Sequence, residues 1–205
     1  QIALKRETGN VDLDSVLAKN NFDAGSRVVE NIIYIPLESS IYNITKDKYY
    51  DTIQEAVYAA DEGDIIQVGP GIYHGYLTIN KPLTLIGPNV GVPGAVLPGY
   101  YDERGPEAVI TVPKEVDLEN PEYAEMKAVI NIESPGVTID GFRITGDNGN
   151  GKKNYAGCNI QAAYGIYASD GEFELDNLVL RNNVFDCFSG MGICIIDFDD
   201  YTPNE

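Results

Sequence analysis

The sequence predicts an all-β solenoid: a coil of short strands, covered at its N-terminal side by one short α-helix. Three observations carry that expectation. A single capped helix is followed by strands that stop every few residues, the turns between those strands are not hairpin turns, and a strand unit recurs in the second half of the chain.

The helix falls in "TIQEAVYAADEG", from Thr52 to Gly63. Thr52 and Glu55 have capping-box spacing, in which hydroxyl and carboxylate each satisfy an orphan backbone N–H. Ile53, Ala56, Val57 and Ala60 repeat at i, i+3, i+4 and i+7 and make one narrow apolar stripe. Gly63 lies where a left-handed helix stop is usual. The helix therefore covers something on one side only, over Thr52–Glu62. The strands follow. "DIIQV" is ended by Gly69-Pro70-Gly71, "YLTIN" alternates up to Lys81-Pro82, and "LTLIG" alternates again. None of these runs is joined by a two-residue Asn-Gly or Asp-Gly turn, so a hairpin meander is not expected.

The repeat comes later. "GVTIDGFRITG" (136–146) aligns with "NLVLRNNVFDC" (177–187), so Ile139 matches Leu180, Phe142 matches Asn183 and Ile144 matches Phe185. "YGIYAS" is echoed by "MGICII", with Gly165-Ile166 returning 27 residues later as Gly192-Ile193. A period of that size belongs to a solenoid, whose units bury their apolar faces only by stacking on neighbours. The polar insert "DNGNGKKNYAGCN" (147–159) reads as a loop thrown out from one coil. "AVITV" (108–112) and "AVINI" (128–132) read as core strands set between acidic excursions. Residues 1–40 lack the coil pattern, with a short helix expected near Leu13–Leu17 and a strand in "NIIYIPL"; they are a lead-in segment or a linker. Residues 41–205 form the repeat domain.

The stretch from Tyr50 to Asn89 resembles the N-terminal portion of proteins of the pectin-lyase-like superfamily, and the 136–146 and 177–187 units resemble its later coils. The resemblance covers Ile41 to Ile196. It implies a right-handed parallel β-helix in which Thr52–Glu62 is the capping helix. It is specific as to fold and not as to activity, since the superfamily joins pectate lyases, pectin esterases and polygalacturonases with phage tailspikes and non-catalytic surface and carbohydrate-binding proteins.

Charge and composition narrow the function. Lys and Arg total 14 against 32 Asp and Glu, a net charge of −18. That excludes a polyanion such as nucleic acid as the natural partner. No run approaches the ~18 apolar residues of a transmembrane helix, so no membrane insertion is expected. The chain begins at Gln1 without a basic-then-apolar leader, as expected for a processed or excised piece of an exported protein, extracellular or at the cell surface. At the other end, either the acidic "DFDDYTPNE" folds over the last coil or further coils follow.

Candidate site residues are few. His74 is the lone imidazole and sits at a turn beside the cap, where no catalytic role is assigned to it. Hydrolases of the superfamily use clustered Asp, and its lyases use Ca²⁺ with an Arg or Lys base. Asp197, Asp199 and Asp200 are the dense acidic group; Asp197 and Asp199 share one strand face and could hold Ca²⁺, or be a solvated acidic terminus. Arg143 aligns with Val184 and Arg181 with Asp140, so no repeated Arg row marks a base. Cys158, Cys187 and Cys194 permit one bridge tying down the insert, or small buried hydrophobes. The aromatic set, 14 Tyr and 6 Phe with no Trp, points elsewhere. Tyr100, Tyr101, Tyr155, Tyr164 and Tyr167 fall on the excursions and the following strand, where a Tyr face suits a sugar ring. The expected function is a non-catalytic surface or carbohydrate-binding module that recognises a polysaccharide; the alternative is a pectate lyase-like or glycoside hydrolase-like enzyme whose active site is completed by further coils.

Overall fold

The computed structural model describes residues 27–29, 32–34, 40–94, 104–115, 128–151, 157–169 and 175–196. In the lead-in segment, β1 (Arg27–Val29) and β2 (Ile32–Tyr34) pair with each other antiparallel. The helix expected near Leu13–Leu17 lies outside the described residues. Next come β3 (Ile41–Asn43), β4 (Lys48–Tyr50) and the helix α1 (Ile53–Ala59). The strands β5 (Ile65–Val68), β6 (Gly71–His74), β7 (Leu77–Ile79), β8 (Thr84–Ile86) and β9 (Ala108–Thr111) follow. The chain continues through β10 (Ala128–Ile132), β11 (Thr138–Asp140), β12 (Arg143–Thr145) and β13 (Tyr164–Ser169). It closes with β14 (Val179–Arg181), β15 (Val184–Asp186) and β16 (Met191–Ile196).

These strands form three main sheets, ordered β14-β11-β8-β5-β3-β4, β15-β12-β9-β6 and β16-β13-β10-β7. The second and third sheets are parallel throughout. The first is mixed, because β3 pairs antiparallel with both β4 and β5. The expected class, an all-β right-handed parallel β-helix, is corrected accordingly. The structure is mostly β in three sheets, and no closed solenoid is found among the described residues. The β3–β4 hairpin and the antiparallel β3–β5 pairing break the parallel pattern at one sheet edge, and the connections into β9 and β10 include residues 95–103 and 116–127, which lie outside the described residues.

The helix forms for the expected reason but is shorter. Thr52 is extended and its hydroxyl accepts from Glu55 N at 3.1 Å, while Ala60 closes the helix in an extended conformation. Gly63 has the positive φ of +82° but serves the next turn, donating to Pro82 O at 2.8 Å. Ala56 and Val57 are fully buried, so the apolar stripe is used.

The core is built from rows of side chains that stack between neighbouring strands. Ile66, Leu85, Ile139 and Leu180 stand in register in the first sheet. Tyr73, Ile110, Ile144 and Phe185 do so in the second, and Leu77, Ile130, Ile166 and Ile193 in the third. The matches read from the repeat (Ile139 with Leu180, Ile144 with Phe185, Ile166 with Ile193) are thus direct strand partners. Interior members such as Ile66, Ile139 and Ile144 are fully buried, whereas Ile193 and Ile195 at the last strand are 39% and 54% exposed. No helix among the described residues is long and apolar enough to cross a membrane.

Candidate functional site

Alternation along a strand means that the second sheet, whose Tyr73, Ile110 and Ile144 face inward, must turn the intervening residues outward. Ile72, Val109 and Arg143 make one outward row, and His74, Thr111 and Thr145 make the next. Over this face folds the insert that leaves β12. Thr111 Oγ1 donates to Asp147 O at 2.7 Å, and Asp147 N donates to Thr145 Oγ1 at 3.2 Å. Thr111 and Thr145 are buried as a result, although they point away from the core.

The insert is held by its own amides. Asp147 Oδ1 accepts from Gly149 N at 3.0 Å and Asn159 N at 3.2 Å. Asn159 Nδ2 donates to Asn148 Oδ1 and to Asn150 Oδ1, both at 2.8 Å. A disulfide joins Cys158 to Cys187 and ties the insert to the residue directly after β15, while Cys194 is free and buried. Of the two readings of the cysteines, the bridge is the one formed for Cys158 and Cys187. It fits a non-cytoplasmic protein, since such bonds persist in oxidising compartments.

Between the outward rows and the insert lies a cleft of about 310 Å³, with Val109, Arg143, Lys114, Asp147 and Asn150 among its walls. A second cleft, of about 300 Å³, opens beside α1. Ile72 and His74 border both clefts, which adjoin along β6; the first, across the outward rows of the second sheet, is the groove. His74 Nδ1 lies 3.1 Å from Val112 O; a carbonyl only accepts, so Nδ1 is the donor in this contact. Arg143 pairs with Asp186 at 2.7 Å on the outer face. Tyr73, in the wall of the second cleft, donates to Gly69 O at 2.7 Å, and burial pushes its pKa up to about 12.

The groove thus offers amides, hydroxyls, an imidazole and two cationic side chains above an aliphatic strip, in a chain whose overall charge is −18. That mixture suits a ligand with a C–H face and many hydroxyls. Among the described residues, one group has metal-ligand geometry. Asp147, Cys158 and Cys187 place ligand-type atoms within 4.8 Å of one another, but both sulfurs are committed to the disulfide.

Only part of the site expected from sequence falls in the described structure. Tyr164 and Tyr167 come together on β13, with ring centroids 5.9 Å apart and planes tilted by 36°, and both are half-buried. They belong to the third sheet, whereas the groove crosses the second. Tyr100, Tyr101 and Tyr155 lie outside the described residues, as do Asp197, Asp199 and Asp200. Arg143 does line the groove; Arg181 instead pairs with buried Asp140 at 2.7 Å. Sequence reasoning missed Lys114, Thr111, Thr145, Asn148 and Asn150, and gave His74 no role. The signal was present in the parity of β9 and β12 and in the insert that begins at Asp147. Comparison with known proteins adds nothing further: no family model, no curated protein and no solved structure matches this chain.

Proposed function

We propose that this protein is a non-catalytic, extracellular or surface-exposed module that binds a polysaccharide in the groove across the second sheet. The observation that carries the reading is the cleft across the outward face of the second sheet, where Ile72, Val109 and Arg143 stand in one row beside His74, Thr111 and Thr145 under the insert. Parallel strands repeat about every 4.8 Å, comparable to the length of one sugar unit, so successive strands can present successive polar groups to successive rings. Val109 and Ile72 supply apolar contact for ring faces, while Asn150, Lys114 and His74 supply hydrogen bonds to hydroxyls.

The test is retention on insoluble cellulose, xylan, mannan and pectin. Wild type is expected to be retained on at least one, and a Lys114→Ala, Asn150→Ala double variant to lose about fivefold or more in affinity, as for the loss of one or two hydrogen bonds. A Tyr164→Ala, Tyr167→Ala variant distinguishes the third sheet as the binding face. Release of unsaturated or reducing ends by the wild type would replace this reading with the enzymatic one. Retention on none of the four would end it.

A further inference from the structure

The cleft beside α1 differs chemically from the groove. Its floor is made of Ile53, Leu77 and Ile110, core residues with 6%, 3% and 2% exposure that the cleft nevertheless reaches. Its lip is Ile72, which is 66% exposed. Three polar side chains in its wall are already committed. Gln54 is held by Thr78 through bonds of 2.7 and 3.1 Å, the Thr52 hydroxyl caps α1, and the Tyr73 hydroxyl bonds Gly69 O. What faces an occupant is therefore aliphatic surface beside Tyr73 and Tyr76, with the exposed carboxylate of Asp51 at the side.

We propose that this cleft binds a neutral aryl group, carried by the glycan as an ester or ether substituent. The aryl site stands on the cleft alone; its attachment to a glycan rests on the function proposed above. Size supports one ring with a short linker, since the cleft measures about 300 Å³ and an apolar cavity of about 150 Å³ holds benzene. The two tyrosines in its wall favour an aromatic over an alkyl occupant, because edge-to-face and offset contacts add to simple burial. Asp51 and the net charge of −18 select against a free aryl carboxylate. Because Ile72 and His74 also border the other cleft, a chain lying there can place a substituent here.

Titrating the full chain with methyl 4-hydroxycinnamate and with the free 4-hydroxycinnamate anion, followed by calorimetry or ligand-observed NMR, tests the site. The ester is expected to bind at least about tenfold more tightly than the anion, the equivalent of one carboxylate poorly tolerated. Ile72→Glu changes an exposed residue and should weaken the ester about tenfold, while Asp51→Asn should narrow the gap between ester and anion. The Lys114→Ala, Asn150→Ala variant should bind the ester as wild type does. Absence of ester binding, equal affinity for ester and anion, or an Ile72→Glu variant that binds normally would each overturn the proposal. Ester binding without polysaccharide retention would keep the aryl site and discard its link to a glycan; the reverse result would discard the aryl site alone.

Discussion

Opening the Cys158–Cys187 bridge probes stability and the groove at once. The bond closes a loop with a sequence separation of 29. In the chain-entropy account, cross-linking a loop of that length removes about 12 cal/mol/K from the unfolded ensemble, or about 3.6 kcal/mol at 25 °C. For a chain of this size each kcal/mol moves Tm by roughly 2–4 °C, so the loss corresponds to roughly 7–14 °C. Cys158→Ser and Cys187→Ser should therefore each melt in that range below wild type. The double variant should be no worse than either single one, because all three remove the same constraint. Wild type in excess dithiothreitol should fall to the same level. Thermal melts by circular dichroism, with and without reductant, supply the numbers. The groove gives the second readout: the bridge fixes the insert that carries Asp147, Asn148 and Asn150, so the reduced protein should also lose polysaccharide retention below its Tm. Equal melting of oxidised wild type, reduced wild type and both single variants would refute the reasoning.

Two further outcomes are expected. Val57→Asp places a carboxylate at a fully buried site against the stack and should cost roughly 4 kcal/mol or more; a wild-type-like melt for that variant would count against α1 as the cover. Tyr73 has a folded-state pKa of about 12 against an ordinary 10.0, so the folded state holds its proton more tightly. The stability this contributes is complete below pH 10 and is lost as pH rises toward 12; Tyr73→Phe should remove that alkaline slope in denaturant melts, and an unchanged slope would refute it.

Much of the stacking was legible in the sequence because inward positions obey two simple periods at once. Ile139, Ile144, Leu180 and Phe185 were legible from the repeat, since residues that stack must share hydrophobicity and register. α1 was legible from its cap and its stripe, although its end was not: Ala60 turns extended because the chain must enter β5, and Gly63 serves that turn. The antiparallel join of β3 to β5 was invisible. "IYN" carries no mark of strand direction, and only tertiary placement sets it. The groove was less legible still. Thr111 and Thr145 look like ordinary outward strand residues and become a site only when the insert folds over them. Composition says which aromatics are present but not which sheet they occupy: Tyr164 and Tyr167 lie on the third sheet, and Tyr100, Tyr101 and Tyr155 lie outside the described residues.

The parity that conceals the groove also determines how it can change. Each outward residue has an inward neighbour, as His74 has Tyr73, Thr111 has Ile110 and Thr145 has Ile144. A one-residue slip of register would exchange the two sets and place a histidine and threonines in the core, so core rows hold the groove rows in place. The converse does not hold. Exchanging one outward side chain for another disturbs no stacked row, provided that the hydrogen bonds to the insert are kept. If the groove binds a ligand as proposed, its preference can therefore shift through Ile72, Val109 and Lys114 at little cost to the fold, whereas Thr111 and Thr145 are bound to the insert by hydrogen bonds at 2.7 and 3.2 Å and Asn150 holds Asn159 at 2.8 Å. The proposed site is adjustable along the aliphatic strip and fixed within the insert and where strand and insert meet.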